Sequence, residues 1–483
     1  MENILSDIVG KASLSIREEE LQAYSRDLSF MKGSVPFAVV RPHSRGEIQE
    51  IVRAANREGF ALVPVSSAPP HFRGDTVPQV GEAVIVDLSE MKRIIRVDGR
   101  HKVALMEPGV TFEELIPELE RAGLRPNMPL MPKPGKSVVA SVLEREPPIM
   151  PKYHWDNSDP LACLEVVFGT GDIFRTGSAA GPGSLEEQWE QGEFQKIAEG
   201  PGQASFHRLV QGAQGCIGIV TWGSIRCARI PIIEEPFFVA SRDIRNMVEL
   251  AYWLIRLRLV DECMLLNQVN LSKLIDPAHS EEASPKLWVL FFNITSTSAY
   301  FPEEQISQKV EDAKEVCKRA GLEMGKAYMG LSAEAFLRRV RNPFTGQCWK
   351  QGDGQVSYDV FFLTSRQRIE TLIDLVLSVV LDEPCRPVEI GIYVQPVVQG
   401  TCWHLEFNLF VDPSLIAPLS PLADLVCRLV RLLLQNGAFF SRPYDIWAPL
   451  VVNGDAASFF AMKRVKSIFD PKGIMNPGKL NLW

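Results

Sequence analysis

The stretch of sequence that decides the fold covers residues 151–177 and reads PKYHWDNSDPLACLEVVFGTGDIFRTG. Its second half alternates from Leu164 to Phe168, turns within residues 169–172 and returns over residues 173–176, which predicts a β-hairpin. Its first half gathers polar and aromatic residues on a loop leading into the hairpin: Tyr153, His154, Trp155, Asp156, Asn157 and Asp159. Such a loop on a rigid sheet is a common place for catalytic groups, and a surface loop with a capping aspartate is the alternative.

Composition sets the broad class of the protein. The chain has 483 residues, enough for two or three domains, and its 46% hydrophobic and 23% charged residues are typical of a globular protein. A net charge of −8 argues against nucleic acid binding. The sequence predicts no membrane span and no secretory signal. Nine cysteines without a CxxC pair indicate free thiols in the cytoplasm and neither an iron–sulfur cluster nor a structural zinc site.

The first half of the chain alternates short strands with helices. Strands are predicted at residues 38–40, 61–65, 84–87 and 103–106. Two helices between or after them begin at capping boxes, one formed by Ser44 with Glu47 and one by Thr111 with Glu114. This rhythm predicts an α+β domain that extends to about residue 232.

The pattern changes from Ile233 to about Arg442. Strands predicted at residues 287–294, 358–363 and 405–411 alternate with amphipathic helices at residues 304–320 and 422–434. This arrangement predicts a second, antiparallel sheet that is backed by helices.

A glycine-rich stretch, GAQGCIGIVT, occupies residues 212–221. Gly212, Gly215 and Gly218 recur every three residues, which lets the backbone approach a ligand closely. The stretch is not a GxGxxG motif after a strand, so a Rossmann-type NAD site is unsupported.

Six segments together resemble one flavoprotein family: PVS at 64–66, EPGVTFEEL at 107–115, GKSVVASVLERE at 135–146, LEVVFGTGDIFRTG at 164–177, GAQGCIGIVT at 212–221 and FDPKGIMNPGKLNLW at 469–483. The chain resembles the vanillyl-alcohol oxidase and para-cresol methylhydroxylase family, nearest the 4-alkylphenol oxidase branch that includes eugenol oxidase. The resemblance implies an α+β fold in which residues 1–232, completed by 443–483, form an FAD-binding domain. Residues 233–442 would form a central antiparallel-sheet cap over the substrate.

The resemblance also implies FAD as the cofactor and assigns site residues. The cofactor-binding positions are Ser66, Ser67, Gly74, Pro108, Ser137, Val138, Ser141, Gly212, Gly215, Gly218, Ile219, Val220 and Asn476. Asp156 matches an aspartate beside flavin N5, and Arg442 matches an arginine at the flavin edge. A carboxylate stabilises the carbon that loses hydride or accepts its proton, and an arginine stabilises an anionic reduced flavin or a substrate oxyanion.

The chain departs from this family at the substrate and phosphate positions. Arg73 and Ser441 stand where the branch grips a phenolate with tyrosines, while Tyr444 lies at a third predicted substrate position. Arg73 is expected to bind an anion, to bridge to the pyrophosphate of FAD, or to lie on the surface. Glycines are also missing from residues 68–72, which include two prolines and therefore offer fewer amides to phosphate.

The flavin is expected to be bound non-covalently, because residues 353–358 of the cap carry no histidine. Tyr358 and His71 are the alternative covalent anchors. His404 is expected to be a core histidine, and no metal site is predicted.

These features predict an FAD-dependent oxidoreductase that takes a hydride from an activated C–H or alcohol carbon. One alternative is an FAD-dependent 2-hydroxy-acid dehydrogenase that holds a carboxylate with Arg73 or Arg442. The other is a non-catalytic flavin-binding or electron-relay subunit. The expected partners are a small-molecule substrate, a redox partner protein and a second copy of the chain, with oxygen, a cytochrome or an electron-transfer flavoprotein as the electron acceptor.

Overall fold

A computed structural model describes residues 1–151, 159–200, 205–275, 287–346, 348–383 and 387–481. Three β-sheets carry the fold in these residues, two in the first half of the chain and one in the second. The polar loop containing Tyr153 to Asn157, and with it Asp156, lies outside the described residues.

The first sheet has the strand order β1-β2-β4-β3, and strands β2, β4 and β3 are parallel. Its elements are α1 (Glu2–Val9), β1 (Leu14–Ser15), α2 (Glu18–Tyr24), β2 (Ala38–Val40), α3 (Arg45–Glu58), β3 (Ala61–Val65) and β4 (Ala83–Asp87). Helix α3 begins at its predicted cap, where Ser44 accepts the Glu47 amide, and it ends at Gly59 in a left-handed conformation.

The second sheet has the order β5-β6-β10-β8-β9, and β7 also pairs with β10. Its elements are β5 (Ile94–Asp98), β6 (Val103–Met106), α4 (Phe112–Arg121), β7 (Leu124–Pro126), α5 (Val138–Leu143), β8 (Leu161–Phe168), β9 (Ile173–Arg175), α6 (Leu185–Glu190), α7 (His207–Val210) and β10 (Gly218–Arg229). The predicted hairpin is confirmed as the antiparallel pair β8–β9, and the predicted capping box at Thr111 is complete.

Strand β8 is buried along its whole length rather than on one face. The sheet is covered on both sides, so even Glu165 is buried, at 2% exposure. Its carboxylate forms ion pairs with Arg45 and Arg175, at 3.2 Å and 3.0 Å, which offset the cost of burying the charge.

The third sheet is antiparallel and has the order β11-β13-β12-β18-β19-β17-β16, as expected for the predicted cap. Its strands and the nearby hairpin are β11 (Ile233–Ser241), β12 (Val260–Asn267), β13 (Trp288–Ser296), β14 (Ala327–Tyr328), β15 (Leu331–Ser332), β16 (Gln351–Gly352), β17 (Gln355–Thr364), β18 (Glu389–Val397) and β19 (Cys402–Val411). The helices of this part of the chain are α8 (Ile244–Arg256), α9 (Gln268–Leu274), α10 (Pro302–Arg319), α11 (Ala333–Val340), α12 (Ile369–Leu381) and α13 (Pro421–Gln435).

The end of the chain returns to the first sheet. After α14 (Ala448–Val452) and α15 (Ala456–Phe469), Leu62 donates to the Ile474 carbonyl and accepts from the Asn476 amide, at 2.8 Å each. The fully buried ion pair between Lys466 and Asp470 fixes this turn at 2.7 Å. Among the residues described, no helix combines the length and the apolar character that crossing a membrane requires.

Candidate functional site

A cavity of about 240 Å³ lies where the two N-terminal sheets meet the cap sheet. Most of its lining comes from four segments: the loop between β3 and β4 (residues 66–78, called the β3–β4 loop below), residues 129–147 around α5, residues 210–220 at the glycine stretch, and residues between 348 and 444 on and after the third sheet. The cavity thus joins the sequence segments on which the FAD prediction rests with the predicted cap.

The glycine stretch lies against the cavity, and its three glycines have no room for a side chain. Gly212 and Gly215 have positive φ angles of 71° and 74°. A Cβ on Gly215 would lie 2.6 Å from Pro64 Cγ, and one on Gly218 would lie 2.5 Å from the Val167 carbonyl oxygen. Each clash would force the backbone to shift, so only glycine lets this strand lie so close to its neighbours.

The predicted cofactor residues divide into two groups. Those that line the cavity are Ser66, Ser67, Pro108, Gly212, Gly215, Gly218 and Val220. Those that lie behind it are Gly74, Ser137, Val138, Ser141, Ile219 and Asn476. Strand alternation separates Ile219 from its neighbours, because it packs into the core between the two N-terminal sheets while Gly218 and Val220 face the cavity.

Several polar residues of the second group support the lining. The Ser137 amide donates to Ser67 Oγ at 3.1 Å, and Ser137 Oγ donates to the Pro108 carbonyl. Asn476 Nδ2 donates to the carbonyls of Asp75 and Gln214, at 2.8 Å and 2.6 Å, and so ties the β3–β4 loop to the glycine stretch.

Arg73 lies at the cavity but is already held by carboxylates. Its guanidinium donates to Glu144 and, at 2.9 Å, to Glu146, while Lys136 Nζ lies 2.8 Å from both Glu144 oxygens. Burial alone would raise the pKa of Glu146, but Lys136 and Arg73 lower it to about 2. The two cations therefore balance the two anions, and Arg73 is not a free receptor for a substrate anion.

Arg442 lines the same cavity, and no carboxylate of the described residues pairs with it. It is 5% exposed, and its Cζ lies 4.3 Å from the centre of the Phe361 ring. Within the described part of the chain, its Nη1 has no hydrogen-bond partner. Burial, reinforced by the charge of Arg73, lowers the pKa of Arg442 only to about 10, so it is a cation at neutral pH. A buried cation with a free donor is suited to an anionic group in the cavity.

The cap wall carries a charged cluster that the sequence analysis missed. Lys350 Nζ lies 2.5 Å from Asp359 Oδ2 and 2.6 Å from Glu406 Oε1, and His404 Nε2 lies 3.1 Å from Glu406 Oε2. Burial lowers the pKa of His404 to about 4, so the ring is neutral and donates to Glu406. The buried His404 is a core histidine, as predicted. The sequence did contain a signal for this cluster: polar residues occupy alternate positions of two apolar strands, Ser357 with Asp359 and His404 with Glu406.

The other predicted site residues lie in different surroundings. Tyr444 is buried at the cavity, with its ring centre 5.2 Å from Arg73 Cζ, whereas Ser441 is not among the lining residues. His71 lines the cavity, and burial lowers its pKa to about 3. Tyr358 lies in the cap core, where its hydroxyl donates to Asp445 Oδ2 at 2.8 Å, away from the cavity lining.

Comparison with family models identifies the N-terminal part of the chain. Residues 36–177 match the FAD binding domain model, and residues 453–480 match the C-terminal domain model of FAD linked oxidases. The chain therefore carries an FAD binding domain and, near its C-terminus, a segment of the C-terminal domain of FAD linked oxidases.

Solved structures show the fold of this flavoprotein over its whole length. 4-Ethylphenol oxidase from Gulosibacter chungangensis superposes with a TM-score of 0.83 at 18% identity, covering 100% of this chain and 96% of that one. p-Cresol methylhydroxylase superposes with a TM-score of 0.77 at 18% identity, covering 99% and 95%. The fold is therefore that of the vanillyl-alcohol oxidase and p-cresol methylhydroxylase group, as predicted.

Relatives found by sequence include a hydroxy-acid dehydrogenase. The mitochondrial D-lactate dehydrogenase (cytochrome) of Arabidopsis thaliana is 28% identical over 287 residues, which cover 58% of this chain and 46% of that protein. The matched region thus spans less than half of that relative's length.

The residues around the cavity fit FAD. Gly212, Gly215 and Gly218 expose bare backbone to the cavity, which extends from there to the third sheet. Arg442 supplies a buried cation, and its Nη1, unpaired among the described residues, suits an anionic part of the flavin or of a substrate.

Proposed function

We propose that this protein is an FAD-dependent oxidoreductase that takes a hydride from an activated carbon of a small substrate. The observation that carries the proposal is the buried Arg442, whose Nη1 has no hydrogen-bond partner among the described residues, in a cavity between the proposed FAD-binding domain and cap. Residues 1–232 with 443–483 would form the FAD-binding domain, and residues 233–442 the cap. FAD would supply the hydride acceptor.

The chain's own residues would bind and orient the substrate. Arg442 would hold a negative charge that is present on the substrate or develops during the reaction. Lys350, held by Asp359 and Glu406, would present its remaining N–H to a polar group of the substrate. Asp156, which lies outside the described residues, would stabilise the electron-poor carbon or accept its proton.

Arg442 favours substrates with an acidic or anionic group, which include a phenolate and a carboxylate. The similarity to 4-ethylphenol oxidase supports an alkylphenol, and the similarity to D-lactate dehydrogenase supports a 2-hydroxy acid. The described residues contain no group of three His, Cys, Asp or Glu side chains able to hold a metal ion.

A screen of flavin bleaching without oxygen tests this function. Matched sets of 4-alkylphenols, neutral benzylic alcohols and 2-hydroxy acids would be added to the yellow protein, and the absorbance of oxidised flavin would be followed. Bleaching by one anionic set identifies the substrate class. If only neutral alcohols bleach the flavin, Arg442 does not select the substrate, and if no compound does, a flavin-binding subunit without catalysis is the better interpretation.

FAD is expected to leave the protein on denaturation. The residues at 353–358 include no histidine, and the Tyr358 hydroxyl is occupied by Asp445. Acid precipitation should therefore leave the yellow colour in the supernatant. Colour retained in the pellet would show a covalent bond, and peptide mapping would then examine His71 first because it lines the cavity.

A further inference from the structure

The β3–β4 loop is held by hydrogen bonds to its carbonyl oxygens. Seven of these oxygens accept bonds from groups outside the loop: Ala68 and Pro70 from Lys133 Nζ, His71 from the Leu28 amide at 2.9 Å, Gly74 and Val77 from Lys479 Nζ at 2.6 Å each, Asp75 from Asn476 Nδ2 at 2.8 Å, and Pro78 from the Ser34 amide at 2.8 Å. Two lysines therefore bind four of the seven carbonyls.

Fixing a carbonyl also fixes the amide of the next residue. The peptide unit is planar, and in the trans form its C=O and N–H point in opposite directions. Four of the anchored carbonyls, those of Pro70, His71, Gly74 and Asp75, are followed by loop residues that have an N–H. Each of these amides therefore points away from the group that holds the preceding carbonyl. Those amides belong to His71, Phe72, Asp75 and Thr76, and all four residues line the cavity.

These four amides have no acceptor in the described part of the chain, where none of them donates a hydrogen bond. These four residues are half-buried at the cavity, and a ligand that covers their amides must supply an acceptor, because covered amides are almost always paired. Several amides that converge on one space form an anion-binding concavity. The loop therefore has the form of an anion site although it lacks the usual glycines.

We propose that Lys133 and Lys479 are positioning residues that orient these amides into a cradle for the pyrophosphate of FAD. The proposal rests on the proposed function, because it takes FAD as the ligand. The loop belongs to the segment that matches the FAD binding domain, and Arg442 lies on the cap side of the cavity, so the loop faces the cofactor rather than the substrate.

This arrangement explains how a loop with prolines can still bind phosphate. Pro69 and Pro78 follow the anchored carbonyls of Ala68 and Val77, so those two peptide units have no N–H to present. The four amides come from four of the other anchored units. The loop therefore keeps four amide donors in spite of its prolines, because the anchoring groups orient the peptide units that still have an N–H.

The test compares FAD with riboflavin, which has the same ring and no phosphate. Apoprotein of the wild type, Lys133→Met and Lys479→Met would be titrated with each ligand, and binding would be followed by flavin fluorescence. Each lysine variant should weaken FAD binding by about 10-fold or more, because each loses two carbonyl anchors, while riboflavin affinity should stay within about 2-fold. The exposed Lys318 on α10 provides the matched control, and Lys318→Met should bind both ligands like the wild type.

A second measurement needs no variant that could fail to fold. Inorganic pyrophosphate should compete with FAD for the wild-type apoprotein but leave riboflavin binding unchanged. The proposal is overturned if FAD affinity survives in both lysine variants, if FAD and riboflavin weaken equally, or if pyrophosphate does not compete. If the wild-type protein still binds FAD in those cases, only the role of the lysines is overturned and the proposed function stands. If the wild-type protein binds no FAD, the role of the lysines and the proposed function are both overturned.

Discussion

Replacing Asp156 by asparagine is expected to slow flavin reduction by about 10²–10⁴-fold, the usual contribution of a positioned acid or base. Asparagine keeps the size and most hydrogen bonding of the side chain but removes its charge and its ability to accept a proton. Flavin content and melting temperature should hardly change. Rapid mixing of the variant with its substrate, without oxygen, measures the rate directly.

A carboxylate three residues later provides the matched control. Asp159 Oδ1 accepts the Leu161 amide and Oδ2 accepts Gln211 Nε2, at 2.8 Å and 2.7 Å, so its role is to fix the start of β8. Asp159→Asn can keep both bonds if the Gln211 amide turns, and it should reduce flavin at close to the wild-type rate. A normal rate in Asp156→Asn with full flavin content would show that Asp156 only caps its loop.

Much of the fold was predictable because its signals are local. The hairpin β8–β9, the cap at Ser44 and the box at Thr111 depend on residues within a few positions of one another. The burial of β8 on both faces was not predictable from its alternating residues, because it depends on which elements cover the sheet.

The cavity lining was predictable in part, since the glycines, Arg442 and Tyr444 were named from the sequence. The glycines at 212, 215 and 218 indicate that the backbone can approach a ligand closely, and the structure places them at the cavity. The cap cluster depends instead on strand register, since Phe361 pairs with Glu406 and Asp359 with Asn408. Residues about 50 positions apart become neighbours only through that register, which the sequence does not display.

Arg73 also shows that contacts between residues far apart in the sequence could not be predicted. Its position in the family pattern predicts an anion-binding role, and its side chain does bind anions, but these are Glu144 and Glu146 of the protein itself. The partners lie about 70 residues away on the end of α5 and the residues after it, so nothing near Arg73 in the sequence indicates that its charge is already balanced.

The second large effect is expected at Arg442. Arg442→Met should lower the rate of flavin reduction by about 10²–10³-fold, the usual cost of removing one donor to a developing negative charge. Methionine keeps the contact with the Phe361 ring in a well-packed site but removes the cation and its free Nη1 donor. Burial already disfavours this charge, as its lowered pKa shows, so the variant should fold at least as stably as the wild type.

Two further variants separate charge from geometry at this position. Arg442→Lys restores the cation without the planar fork, so it should recover part of the rate if charge is what matters. Arg431 is exposed on α13, and Arg431→Met should leave the rate unchanged. The same series should show a larger loss for a phenolate or carboxylate substrate than for a neutral alcohol, because only the anion needs the buried cation before reaction begins. Equal losses on both kinds of substrate would place the role of Arg442 at the flavin rather than at the substrate.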